Sequence, residues 1–137
     1  MYKITGSLED YLEAIYLLQQ KNETVRITDL AAELSISKPS ANRAVDTLRK
    51  DGLVLHEKYG TITLTTHGEE IAKDVYFRHQ SLLRFLVENL GVEPKLAEED
   101  ACRMEHVISE ETLRRLIAYS QKHSKTEANL EVPSGRP

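Results

Sequence analysis

The sequence contains a single cysteine in 137 residues. That excludes an internal disulfide framework and suits a reducing compartment. No apolar run approaches the roughly 18 residues needed to span a bilayer. The first six residues, Met1 to Gly6, lack the apolar core of a secretory signal, so the expected location is cytoplasmic, away from membranes. No internal repeat is visible. There is no His-Glu-x-x-His pattern, and no separate nucleophile or oxyanion apparatus is evident, which argues against a metalloenzyme and against a small-molecule substrate. Positive charge is also in short supply: the net charge is -4, at first sight an argument against nucleic acid. What is present is ordinary for a soluble globular chain, 40% hydrophobic and 29% charged, and long enough for one medium domain or two small ones.

Leu8, Leu12, Ile15, Tyr16 and Leu18 recur at helical spacing behind Ser7 as an N-cap, which predicts a helix from about Leu8 to Lys21. Thr28 is expected to cap a short second helix, Asp29 to Leu34. After a tight turn at Ser35-Ile36-Ser37, Ser37 caps a third helix with Pro39 in its first turn, where proline is tolerated. That helix runs to about Lys50 and is ended by Asp51-Gly52. Two short helices joined by a three-residue turn form a helix-turn-helix, whose second helix would enter the DNA major groove.

Leu53 to Glu57 and Thr61 to Thr65 flank Lys58-Tyr59-Gly60 and read as a hairpin. After a helix-turn-helix such a hairpin is a wing. Charge distribution then weakens the objection from net charge. Between Arg26 and Lys58 there are six Lys/Arg against five Asp/Glu, whereas acids dominate from Gly91 to Glu111. On this face Ser37, Lys38, Pro39, Ser40, Asn42 and Arg43 are candidates for base or phosphate contact. Asn42 and Arg43 have donors for base edges, and Arg26, Lys58 and Tyr59 suit phosphates.

Thr66 is expected to cap a long connecting helix from His67 to about Asn89. Gly91 breaks it, Glu93-Pro94 starts another to about Val107, and Ser109-Glu110-Glu111 opens a last one carrying Leu113, Leu116 and Ile117. The expected architecture is mainly α with a small β-hairpin wing. A winged helix-turn-helix domain (1–72) precedes a helical metal-binding and dimerisation domain (73–123), with a mobile tail (124–137). Leu82, Phe85, Leu86, Leu113, Leu116 and Ile117 are candidates for a dimer interface, unless they pack on one another.

Three groups of metal-ligand types fall on different helices. Cys102, Glu105 and His106 stand at i, i+3 and i+4 and would share one helix face, joining a thiol, a carboxylate and an imidazole. Asp10 and Glu13 lie on the first helix and His79 on the connector, with Glu98, Glu99 and Asp100 near the first group. Taken singly each has an ordinary explanation: first-turn acids complementing a helix dipole, a half-buried histidine, a small core thiol.

Together these features resemble the diphtheria toxin repressor family of metal-dependent transcription regulators. The resemblance covers nearly residues 4 to 123 and is carried by Leu8-Glu9-Asp10-Tyr11-Leu12-Glu13-Ala14-Ile15-Tyr16, the helix-turn-helix from Ser35 to Gly52, Arg78-His79, and Cys102 to Ser109. It implies a homodimer on double-stranded operator DNA, with Mn²⁺ or Fe²⁺ as co-repressor. By position, Asp10, Cys102, Glu105 and His106 match one metal site, and Glu13 and His79 match ligands of the manganese-responsive members. Ser37 and Pro39 match residues that face thymine methyl groups.

The departures are specific. Asp10 follows the manganese branch, and Cys102 follows the iron branch. Leu83 stands where the iron branch has an ancillary acid, and Glu98 where it has a histidine. The expected form is the short one, without the SH3-like domain of longer members. Carboxylates and imidazole suit Mn²⁺ or Fe²⁺, while a thiolate pulls toward Fe²⁺, Co²⁺ or Zn²⁺; Zn²⁺ or Co²⁺ is expected to substitute in vitro. The competing expectation is a winged-helix regulator answering an organic ligand or oxidation of Cys102.

Overall fold

The computed structural model describes residues 6–57 and 60–123; Lys58, Tyr59 and the expected tail (124–137) lie outside them. The described elements are α1 (Gly6–Lys21), β1 (Val25–Arg26), α2 (Ile27–Leu34), α3 (Lys38–Lys50), β2 (Val54–His56), β3 (Thr61–Leu64), α4 (Thr66–Arg84), a π-helical turn (Phe85–Asn89), α5 (Pro94–Met104) and α6 (Glu110–Lys122). The chain divides into two compact units, Met1–Tyr76 and Phe77–Pro137, with the boundary inside α4.

In the first unit, the helix-turn-helix is set by local backbone chemistry. Leu34 is followed by Ser35 in the left-handed region (φ 55). The amide of Ile36 then reaches back to the Ala31 carbonyl at 3.0 Å and closes the helix end. Ser37 caps α3 by accepting from the Ser40 amide at 3.2 Å, with Pro39 in the first turn as expected. The start of α2 differs from expectation. Thr28 is not its cap; α2 begins at Ile27, and Asp29 Oδ2 accepts from the Arg26 amide at 2.9 Å.

The wing also differs, because β1 joins the hairpin to give a three-stranded antiparallel sheet in the order β1-β3-β2. Val25 pairs with Ile62, and Val54 pairs with Leu64. Leu12, Ile15, Leu30, Leu48, Leu53 and Ile62 fill the core between the helices and this sheet.

Thr65, not Thr66, caps α4. Its hydroxyl accepts from the Gly68 amide at 3.0 Å and donates to the Gly52 carbonyl at 2.8 Å. Gly68 is required there, since a Cβ would lie 2.0 Å from the Leu53 carbonyl oxygen. Ala72 is buried in the same core. The first turns of α4 therefore belong to the first unit, and the compact boundary falls four residues beyond the expected position 72.

In the second unit, Leu82, Leu86, Ala97, Ala101 and Leu113 form a core of their own. Leu82, Leu86 and Leu113 are thus not available for a dimer face. Phe85, Leu116 and Ile117 are partly buried against that same cluster, so the six residues largely pack on one another. Among the described residues of this unit, the exposed large apolar side chains are Phe77, Leu90, Leu96, Val107 and Tyr119. Glu93 Oε1 caps α5 through the Leu96 amide and Ser109 Oγ caps α6 through the Thr112 amide, each at 3.1 Å. The connector was expected to be helical to Asn89; its last five residues are π-helical instead, and Asn89 Oδ1 accepts from Ser120 of α6 at 2.9 Å.

Candidate functional site

The C-terminal end of α5 gathers the polar groups of the second unit. The helix stops at Met104, earlier than the expected Val107, and Glu105 closes it in αR geometry. Cys102, Glu105 and His106 therefore do not share one evenly exposed helix face: Cys102 is exposed, Glu105 is 1% exposed, and His106 sits half-buried in the following turn. A solvated patch is excluded for Glu105.

α4 supplies what faces this carboxylate. His79 is 7% exposed, and its Nδ1 lies 2.6 Å from Glu105 Oε1. Its Nε2 lies 2.8 Å from Oε2 of Glu98, whose side chain is largely exposed. When both carboxylates are ionised, only the doubly protonated ring donates to both. The preceding residue, Arg78, donates from Nε to the Glu105 carbonyl at 2.8 Å.

Glu105 Oε2 is buried and has no hydrogen-bond partner among the described residues. His106 Nε2 is 3.4 Å away without hydrogen-bond geometry. Leaving such an acceptor unsatisfied costs about 1–3 kcal/mol, and more when it is charged. A ligand atom of Cys102 lies within 4.8 Å of one of Glu105. An orphaned carboxylate oxygen with imidazole and thiol groups around it fits a divalent transition-metal ion. Cys102, Glu105 and His106 would hold it directly, and His79 with Glu98 borders the same carboxylate.

The remaining candidates are distributed as follows. Asp10 and Glu13 lie on α1 in the first unit, both half-buried. Glu99 is exposed, and Asp100 forms a surface pair with Arg103 at 2.9 Å. In the sequence, Arg78 has no functional signal of its own. Only its position beside His79 hinted at one.

The candidate DNA-reading residues cluster on one exposed stretch. Ser37, Lys38, Pro39, Asn42 and Arg43 are exposed at the start of α3, with Ser40 half-buried, and Arg26 is exposed beside α2. Ser37 Oγ and Ser40 Oγ are engaged with each other at 3.0 Å, and Arg43 donates to Ser40 Oγ at 3.3 Å. The polar tips are thus pre-arranged along the first turns. Lys58 and Tyr59 lie outside the described residues.

Residues 3–62 match the iron dependent repressor N-terminal DNA-binding domain, and residues 65–133 match the iron dependent repressor metal-binding and dimerisation domain. The chain is 41% identical over 120 residues to an uncharacterised HTH-type transcriptional regulator of Methanocaldococcus jannaschii, covering 87% of this chain and 96% of that protein. The chain belongs to the iron dependent repressor family.

This family of metal-dependent transcriptional regulators is the one that the diphtheria toxin repressor resemblance had indicated, and it is not a family of enzymes. Among solved structures, the chain is similar to the manganese regulator SloR, at 28% identity and a TM-score of 0.75 over 88% of this chain. It is also similar to a manganese-dependent transcriptional repressor in complex with manganese, at 31% identity and a TM-score of 0.75 over 82% of this chain. The chain spans 55% and 51% of the length of those two proteins. Among its described residues, no helix is long and apolar enough to cross a membrane.

Proposed function

We propose that the chain is a homodimeric repressor that binds double-stranded operator DNA when Mn²⁺ or Fe²⁺ is bound, and so regulates metal-ion homeostasis. One observation carries this reading: Glu105 holds a buried carboxylate oxygen with no hydrogen-bond partner among the described residues, next to an imidazole and near a thiol. A bound divalent ion would supply the positive charge that this oxygen lacks.

In this reading Glu105, His106 and Cys102 bind the ion from the second unit. His79 orients the Glu105 carboxylate through Oε1, and Glu98 holds the far side of the His79 ring. The sequence resemblance adds Asp10 and Glu13 to the ligand set, with Glu99 as the remaining nearby carboxylate. α3 docks in the major groove, with Ser37, Lys38, Pro39, Ser40, Asn42 and Arg43 toward the bases and neighbouring phosphates. Arg26, Lys58 and Tyr59 contact phosphates. A ligand that shifts a switch from 1% to 99% competent must favour one state by about 5.5 kcal/mol. Several charged ligands converging on one ion are suited to supply that much.

The manganese relatives favour Mn²⁺, and the Cys102 thiol favours Fe²⁺, with Zn²⁺ or Co²⁺ as substitutes in vitro. The experiment is fluorescence anisotropy on operator-type DNA with metal-stripped protein, titrated separately with Mn²⁺, anaerobic Fe²⁺ and Zn²⁺. Affinity is expected to rise steeply with metal, and His106→Ala and Glu105→Gln to abolish the rise. Equal affinity of the stripped and loaded protein rejects the co-repressor role and favours a switch worked by an organic ligand or by oxidation of Cys102.

A further inference from the structure

Each of the four polar atoms of Glu105 has a distinct situation. Its amide donates to the Ala101 carbonyl at 3.0 Å, the bond that caps α5. Its carbonyl accepts from Arg78 Nε at 2.8 Å. Oε1 lies 2.6 Å from His79 Nδ1, and Oε2 has no hydrogen-bond partner among the described residues. Two adjacent residues of α4 thus hold the same residue at the end of α5, one by its main chain and one by its side chain.

The Glu105 carbonyl belongs to the peptide plane that joins Glu105 to His106. α5 has already ended at Met104, so this carbonyl no longer has a helical partner of its own. The Arg78 guanidinium replaces that partner and places positive charge at the helix C-terminus, where it is favoured. Fixing this one plane fixes the directions from which both the Glu105 carboxylate and the His106 imidazole depart.

We infer that Arg78 is a positioning residue for metal binding: by clamping the Glu105–His106 peptide it holds two ligands in place before an ion arrives. This rests on the metal-site reading above. Ligands already ordered lose little freedom on binding, so losing the clamp weakens the ion without removing any donor. Lysine is a poor replacement, because a compact ammonium on a flexible stem lacks the directed Nε–H of a planar guanidinium.

The test is anaerobic titration of the metal-stripped full chain with Co²⁺, followed by visible absorption, alongside thermal unfolding of the metal-free protein. Arg78→Met is expected to raise the apparent Kd for Co²⁺ by about 10- to 100-fold, the range found when groups that orient metal ligands are removed. It should also change the shape of the cobalt absorption bands. Arg78→Lys should weaken binding several-fold with near wild-type melting. Arg115→Met, which removes an exposed arginine paired with Glu111 on α6, should change neither.

A merely structural role lowers the melting temperature of the metal-free protein and leaves the Kd and bands of the folded protein unchanged; that result overturns the proposal. Should Arg78→Met fail to fold, Arg78→Lys decides alone, and wild-type affinity with wild-type bands in it is likewise contrary. If wild type and Glu105→Gln take up Co²⁺ identically, the ion site itself is rejected and the role of Arg78 with it. That outcome is distinct from a failure of Arg78 alone.

Discussion

The two units use their interiors differently. Among the described residues the first unit buries apolar side chains and no charged one, whereas the two buried ionisable residues, His79 and Glu105, both lie in the second. The first interior is organised for cohesion: Leu12, Ile15, Leu30, Leu48 and Leu53 are fully buried and hold α3 with its polar tips outward. The second accepts a carboxylate oxygen without a hydrogen-bond partner, which burial alone disfavours. Such a defect is retained where a ligand removes it. In the proposed reading, the contrast separates a scaffold that presents a surface from one that keeps a binding site ready.

The contrast can be broken most strongly in the first interior. Leu48→Ala is expected to lower the unfolding free energy by about 2–5 kcal/mol, since Leu48 is completely buried and its cavity has no polar use. Urea denaturation of the metal-free protein measures it.

The second interior should respond to metal instead. Mn²⁺ at 100 times its Kd is expected to stabilise the wild type by about 2.7 kcal/mol, and a chelator should reverse the gain. Glu105→Gln should lose this increment, whereas Leu48→Ala should keep it. An increment of wild-type size in Glu105→Gln would remove the distinction between the two interiors.

The outward face of the first unit sharpens the comparison further. Asn42→Ala or Arg43→Ala should cost about 1–3 kcal/mol of operator discrimination in the presence of metal. Both residues are exposed, so the melting temperature should barely change. Competition anisotropy with operator and scrambled DNA separates the two effects.

The smallest effect concerns Asp46, also on α3. Hydrogen bonds from Arg49 and Lys50 lower its pKa from the ordinary 3.8. A lowered carboxylate stabilises the fold above its unfolded value, and that contribution is lost as pH falls through the lowered folded value. Wild type and Asp46→Asn should therefore differ in melting temperature at neutral pH and converge in acid below the ordinary carboxylate range. Exposure of both partners keeps the difference small.

How far the sequence disclosed all this depended on the range of the interactions involved. Ser37 with Pro39, Glu93 with Pro94, and Ser109 each mark a helix start through contacts three residues away, and these were legible. β1 was not, because Val25-Arg26 is too short to alternate and acquires its strand character from Ile62 and Thr61 on β3. The π-helical turn was hidden because Leu82 and Leu86 keep helical spacing into it and both face the core. The end of α5 was misplaced for a related reason: Glu105 retains αR geometry after the regular helix has stopped.

At the site, residue types and spacing nominated Glu105, His79 and Glu98. They gave no sign that Glu105 is buried or that His79 lies between two carboxylates. His79 and Glu105 are 26 positions apart, and only the packing of α4 beside the end of α5 joins them. The role inferred for Arg78 was hidden similarly, since a side chain bonded to a distant main-chain carbonyl leaves no periodic signal.

The central claim is that Glu105 Oε2, without a hydrogen-bond partner among the described residues, is kept for an ion. The most direct measurement is an anomalous-difference map from crystals grown with Mn²⁺ and recorded near its absorption edge. The account predicts a peak about 2.0–2.6 Å from that oxygen, the range for oxygen ligands of hard divalent cations. Peaks only elsewhere in the crystal, with a water molecule hydrogen-bonded to Oε2, would contradict it.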